Sequence, residues 1–211
     1  MTNSNGFTRC GWAGTDPEYI HYHDTEWGVP LLHDQRFFEF LVLESAQAGL
    51  SWLTILRKRP AYRRAYRDFD PQEVAAFPAG RVETLKHTGI VANTRKIEAS
   101  ITNARLFLDL QAQFGSFARY IWRFVDFGPI VNNWQTLDQV PATSPLAEKI
   151  TRDMKQRGFR FIGPRIIYAF LQATGIINDH LVSCFRYKEL LKQAPRQTIM
   201  AALFQHASQE T

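Results

Sequence analysis

Helix-starting and helix-ending residues recur along this chain at short intervals, and they constrain its fold more than any other feature. Asp16-Pro17 pairs a capping carboxylate with a proline at the first helical position, where the missing N–H has no intrahelical partner to lose. Asp34 is placed to cap a helix running through Phe37, Phe38, Phe40 and Leu41 to about Ala48, with Gly49 ending it. Asp70-Pro71 opens a short helix to Ala76, and Pro60 is expected to break the basic stretch before it. Helix is expected over 81–86, as a long amphipathic stretch over 93–110, and again over 146–156 and 165–173. After Gly175 a further helix is expected to run through His180 and Cys184. Residues 129–145, with three prolines, read as loop with room for one short strand. With no alternating strand pair and no long-period repeat, the pattern predicts an all-α fold.

A chain of 211 residues suits one domain, or two small lobes sharing a core. Hydrophobic residues make up 45%, which excludes a disordered chain. No apolar run approaches the roughly 20 residues of a membrane span. The polar start, residues 1–7, has no signal-peptide core, so a cytoplasmic location is expected. The formal charge of +5 is concentrated in Arg57-Lys58-Arg59 with Arg63, Arg64 and Arg67, and in Arg152, Lys155, Arg157, Arg160 and Arg165. Such groups suit either a polyanion partner or a solvated surface. Only two cysteines occur, Cys10 and Cys184. In the cytosol they would be free thiols or part of a metal site.

Four constellations could carry chemistry. His180 and Cys184, with Cys10 and His23 from the other end, would make a Cys2His2 tetrahedron; the spacing alone fits unrelated buried cysteines and ordinary histidines better. On a helix from Asp16, Tyr19, Tyr22, His23 and Glu26 share one side and suit either a pocket for a flat ligand or plain core packing. Glu44 falls on a stripe with Phe37, Phe40, Leu41 and Ala48, all apolar, so it needs an arginine partner or serves a pocket. Just after it, Trp52 is suited to stacking on a base and Leu50 to wedging into a base stack, although both are also ordinary core residues. Finally, the turn from Gly158 to Gly163-Pro164, opening a helix at Arg165, offers backbone N–H groups to a phosphate. The turn at Gly89-Ile90 is a weaker candidate for the same role. Both are also ordinary helix–turn–helix joints.

Taken in order, RCGW at residues 9–12, DPEYIHYHDTEWGVP, LESAQAGLSWLTILRKR and GFRFIGPRIIYAFLQATGIINDHLVSC resemble the bacterial 3-methyladenine DNA glycosylase I family, over about residues 9–187. That resemblance implies a helix-hairpin-helix DNA glycosylase fold: two helical lobes with a DNA-binding cleft, and a zinc clamp joining the chain ends. The chain would be a single glycosylase domain over 1–211, with a middle lobe at roughly 61–164 and an extra tail at 188–211. Cys10, His23, His180 and Cys184 would hold one structural Zn2+. Glu44 would be the catalytic residue, with Tyr19, Tyr22, Trp27 and Trp52 binding the base. Leu50, Gly163 and Arg165 would contact DNA. Ser45 and Ala46 depart from the family, standing where glycine and glutamine are expected.

The resemblance further implies hydrolysis of the N-glycosidic bond of 3-methyladenine in double-stranded alkylated DNA, after base flipping, by a monomer needing no protein partner. A non-catalytic binder of alkylated DNA is the alternative. No lysine follows the hairpin where a Schiff-base nucleophile would stand, so no strand cleavage is expected. Asp179, sixteen residues past Gly163, would assist the sugar chemistry or merely order the zinc segment; it ranks after Glu44, since the family is considered to lack a catalytic aspartate there.

Overall fold

The computed structural model describes residues 7–193 and 196–204. The expectations for residues 1–6 and for the tail at 194–195 and 205–211 lie outside the described residues. The helices are α1 (Pro17–Thr25), α2 (Asp34–Gln47), α3 (Trp52–Ala65), α4 (Pro71–Ala75), α5 (Arg81–Leu85), α6 (Thr94–Phe114), α7 (Phe117–Trp122), α8 (Pro145–Gln156), α9 (Pro164–Ala173), α10 (Phe185–Gln193) and α11 (Arg196–Phe204). Two short strands, β1 (Ile130–Val131) and β2 (Ile177–Asn178), pair in parallel, Ile130 opposite Ile177. None of the helices is long and apolar enough to cross a membrane, among the described residues.

The expected caps form where short polar side chains reach the first free N–H groups. Asp16 Oδ1 accepts from the backbone of Glu18 at 3.0 Å and Tyr19 at 3.3 Å. Asp70 does the same for α4. Asn93, expected as the first residue of the long helix, instead caps α6 through its side chain. Gly49, with φ of +83°, follows α2.

The chain divides into two compact units. The first comprises residues 1–32, 121–142 and 171–211, and the second 33–120 and 143–170. In the second unit the core is aromatic. Phe107 stacks on Phe117 with ring centres 4.2 Å apart, Phe38 meets Phe107 edge-on, and Phe37 packs against Phe170. In the first, the Ile130 N–H donates to the carbonyl of buried Ile176, and the indole N–H of buried Trp122 donates to the Leu31 carbonyl.

Three expectations fail for identifiable reasons. Asp34 does not cap α2: its carboxylate accepts from the backbone N–H groups of Phe117 at 2.7 Å and Ala118 at 2.8 Å, so it caps α7 instead. Pro60 does not break the basic stretch, because α3 runs through it. The helix keeps Ile55, Leu56, Arg59 and Tyr62 buried on the side away from the exposed Pro60, and that packing outweighs one missing hydrogen bond. No helix runs through His180 and Cys184 either. Residues 177–178 are strand, 182–184 form a turn, and α10 begins only at Phe185. The β1 partner, some 45 residues earlier in sequence, claims this segment, and local periodicity does not register such a partner.

Gly175 sits at φ +69°, and a Cβ there would lie 2.4 Å from the Pro30 nitrogen and the Val29 carbonyl carbon. Both clashing atoms are backbone and have no rotamer to change. Gly175→Ala is therefore expected to lower stability by about 2–4 kcal/mol, read by chemical denaturation. An unchanged unfolding midpoint would show that this backbone approach yields easily.

Candidate functional site

Cys10, His23, His180 and Cys184 are fully buried, and one ligand atom from each lies within 4.8 Å of all the others. Cys10 is the last residue before a single 3-10 turn, and His23 lies in the last turn of α1. His180 and Cys184 come from the turn between β2 and α10. The Cys10 Sγ–His180 Nδ1, Cys184 Sγ–His180 Nδ1 and Cys184 Sγ–His23 Nε2 distances are all 3.5 Å. Zinc–sulfur and zinc–nitrogen bonds meeting at a tetrahedral angle give an S···N edge of about 3.6 Å. The donor set therefore fits a tetrahedral metal ion of that size.

The outer contacts point the same way. His23 Nδ1 is 2.7 Å from Asp24, which Arg9 clamps through two nitrogens. His180 Nε2 lies 3.1 Å from the Trp27 carbonyl, and the Leu181 N–H donates to Cys10 Sγ. Each histidine thus has its second nitrogen engaged and its first turned to the cluster, as ligating histidines do. Burial works against the Asp24 carboxylate, but Arg9 and His23 hold it below the ordinary range. The hydrogen bond between the thiols pushes Cys10 up and holds Cys184 down. Gly28, at φ +79°, has no room for a side chain, since a Cβ would lie 3.0 Å from His180 Nε2.

The aromatic residues of the first unit gather on Trp12, a hub the sequence reasoning missed. Its ring lies 5.2 Å from Tyr19, 6.5 Å from Tyr22 and 4.9 Å from Trp27. Trp12 also packs edge-on to His23, and Trp27 edge-on to His180. Trp27 is therefore held against a ligand histidine, and Tyr19 and Tyr22 reach the ligands through Trp12. The adjacency of Trp12 to Cys10 was the available signal.

In the second unit, Glu44 and Glu39 lie on the same helix, and both are buried. The arginines go to Glu39: Arg59 Nε lies at 2.8 Å and Arg63 Nε at 3.1 Å, and Arg36 also pairs with it. No hydrogen bond or ion pair reaches the Glu44 carboxyl among the described residues. It lines an open pocket of about 270 Å³ with Gln47, Gly49, Leu50, Arg165 and Ile166. Leu50 is 40% exposed on the loop that leads to Ser51, the N-cap of α3, and Trp52 is buried at the first position of that helix. Ser45 and Ala46, the two departures, are both buried, and the Ser45 hydroxyl has no partner.

The hairpin between α8 and α9 is pinned from behind. The Asn103 amide donates to the Arg160 carbonyl at 2.9 Å and accepts the Arg160 N–H at 2.8 Å. Gly163 accepts the first bond of α9, and Arg165 is exposed. At the other glycine turn, Lys58 takes the Gly89 carbonyl and the Tyr62 hydroxyl takes the Val91 N–H. Those two backbone groups are used internally. Asp179 is buried and enclosed by donors: Asn132 and Trp134 on one oxygen, Gln172 on the other, each at 2.7 Å. That arrangement orders the segment before His180.

A helical protein with a hairpin between α8 and α9 has the architecture of the helix-hairpin-helix DNA glycosylases. Within that class the chain belongs to the methyladenine glycosylase family, whose model matches residues 12–187. It is 43% identical over 180 residues to DNA-3-methyladenine glycosylase 1 of Escherichia coli (strain K12), covering 85% of this chain and 96% of that one. A crystal structure of a 3-methyladenine DNA glycosylase I matches with a TM-score of 0.82 at 44% identity, over 84% of this chain and 98% of that one. A single-residue variant of such an enzyme, solved in complex with 3-methyladenine, matches with a TM-score of 0.82 at 36% identity, over 84% and 96%.

Burial alone pushes the Glu44 carboxyl up from 4.5 to about 8. At acidic pH both native and unfolded chains hold its proton. Between 4.5 and about 8 the unfolded chain releases a proton that the native chain keeps, so stability falls as pH rises through that window. Glu44→Gln removes this dependence. Variant and wild type should unfold alike near about pH 4, and the variant should be more stable by roughly 2–5 kcal/mol at about pH 9. Parallel pH profiles would mean that Glu44 is ionised and paired in the fold.

Proposed function

We propose that this chain is a monofunctional DNA glycosylase, hydrolysing the N-glycosidic bond of 3-methyladenine in alkylated double-stranded DNA and leaving an abasic site. The observation that carries the reading is Glu44, a buried carboxyl spared by the neighbouring arginines and facing a pocket in a methyladenine glycosylase scaffold. Methylation at N3 makes the adenine cationic. When the C1′–N9 bond breaks, the base takes the bonding electrons and leaves neutral, so little general-acid help is needed. Water then adds to C1′ and gives up a proton.

Glu44 selects the base. Raised to about 8 in the free protein, it holds a proton near neutral pH. An entering cation favours the ionised carboxyl, so its proton passes to solvent water, and the carboxylate then accepts hydrogen bonds from the purine amino edge and stabilises positive charge on base and sugar. Tyr19, Tyr22 and Trp27, ordered around Trp12, offer ring faces, and Trp52 does so beside Glu44 in sequence. Exposed Leu50 fills the space a flipped nucleotide leaves, while Gly163 and Arg165 meet phosphate. Asp179 is assigned an ordering role, because its oxygens are already taken. The enzyme is taken to be a cytoplasmic monomer needing no protein partner.

In a single-turnover assay on methylated duplex, wild type should release 3-methyladenine and leave the strand intact, with no adduct trapped by borohydride. Glu44→Gln should lower the rate about 30- to 1,000-fold, corresponding to roughly 2–4 kcal/mol, and keep its affinity for undamaged DNA. Tight binding of methylated DNA without base release by wild type would favour the non-catalytic alternative.

The metal is proposed to be zinc, in a structural role. Cys10, His23, His180 and Cys184 supply four protein donors and leave no coordination position for water. Held by these residues, zinc would neutralise two thiolates and fix four side chains. Purified protein should contain close to one zinc per chain, and Cys184→Ser should lose both metal and melting temperature. A metal-free chain that melts no lower would remove the structural role.

A further inference from the structure

Lys96, in the first turn of α6, does something the glycosylase reading does not use. Its ammonium donates to the Ala46 and Ala48 carbonyls, both at 2.7 Å. These oxygens belong to the last turn of α2 and the residue after it, where carbonyls have no helical partner and the helix end is negative. The same ammonium lies 5.8 Å from the centre of the Phe161 ring. Phe161 is the hairpin residue with a left-handed backbone, φ +54°, which a bulky side chain adopts only when its surroundings hold it there. Partial burial lowers the pKa of Lys96.

One side chain therefore touches two pieces of the same unit: the end of the Glu44 helix, which leads into Gly49 and Leu50, and the hairpin leading into Arg165. Glu44, Leu50 and Arg165 line the same pocket. We propose that Lys96 is a positioning residue for base excision: it ties the carbonyl end of α2 to the hairpin, setting where Leu50 stands when duplex DNA is engaged. This inference rests on the glycosylase reading, because it assigns Lys96 a part in that reaction. A cation is suited to the task. A neutral amide could donate to the carbonyls but would bring no charge, whereas an ammonium bonds both, offsets the helix-end charge and faces the aromatic ring.

The test is a double-mutant cycle read by single-turnover base release from methylated duplex DNA. Lys96→Met should slow release about 10- to 100-fold, the scale expected when a reacting group is misplaced by about an ångström. Lys96→Arg, which keeps the charge and several donors, should recover most of the rate. In a Leu50→Ala background, Lys96→Met should lower the rate by less than about threefold, since both changes act through one loop. Affinity for undamaged duplex should hold, and the melting temperature should fall by only about 2–4 °C. Should Lys96→Met not fold, Lys96→Gln, which keeps a donor and loses the charge, takes its place. Additive losses in the cycle, or Lys96→Met with a wild-type rate, would overturn the inference and leave the glycosylase reading intact. Wild type that releases no base would overturn that reading itself.

Discussion

The cluster of two thiols and two imidazoles is the contact on which the first unit depends. That unit is assembled from three separate pieces of chain, and the cluster stitches the first, through Cys10 and His23, to the third, through His180 and Cys184. Four polar ligand atoms buried this close together are unfavourable on their own, and a divalent cation would reverse that balance. Neighbouring groups fix their orientation. Arg9 orients Asp24, Asp24 orients His23, and the Trp27 carbonyl orients His180. Since Trp12 and Trp27 pack directly on the ligand rings, the same contact holds the aromatic group in place.

The second unit separates two buried carboxylates on one helix. Glu39 is surrounded by arginines and serves the fold, as a charged pair does when its desolvation is repaid by several hydrogen bonds. Glu44 is left without a partner and carries a raised pKa, so the fold is less stable for having it. A destabilising carboxyl at a pocket is what a site for a cationic ligand requires, because the ligand supplies the missing charge. Asp179 is the contrasting case: buried like Glu44, but with three donors on its two oxygens.

Much of this was legible in the residues. Asp16 and Asp70 cap the helices that their position before a proline indicated, and Gly49 ends α2. These are interactions over a few residues, and local chemistry specifies them. The failures are all non-local. Asp34 caps a helix about 80 residues away, Pro60 is carried by packing, and the segment before His180 is recruited as a strand by residues 130–131. The pairing of His180 with Cys184 was expected for the wrong reason: a turn, rather than a helix face, brings them together.

By itself the sequence determined that the chain is helical, where most helices start and stop, and which residue types are available for a metal and a pocket. These follow from backbone propensity, capping geometry and side-chain chemistry, none of which needs a distant partner. Only the tertiary structure decided which carboxylate the arginines neutralise, that Asp179 meets three donors, that Trp12 organises the aromatic rings, and that Lys96 joins the pocket helix to the hairpin. Each of those outcomes depends on which groups meet across long sequence separations, and on whether water is excluded where they meet. Burial raises the free energy of an unpaired charge, and the fold chooses which charge stays unpaired.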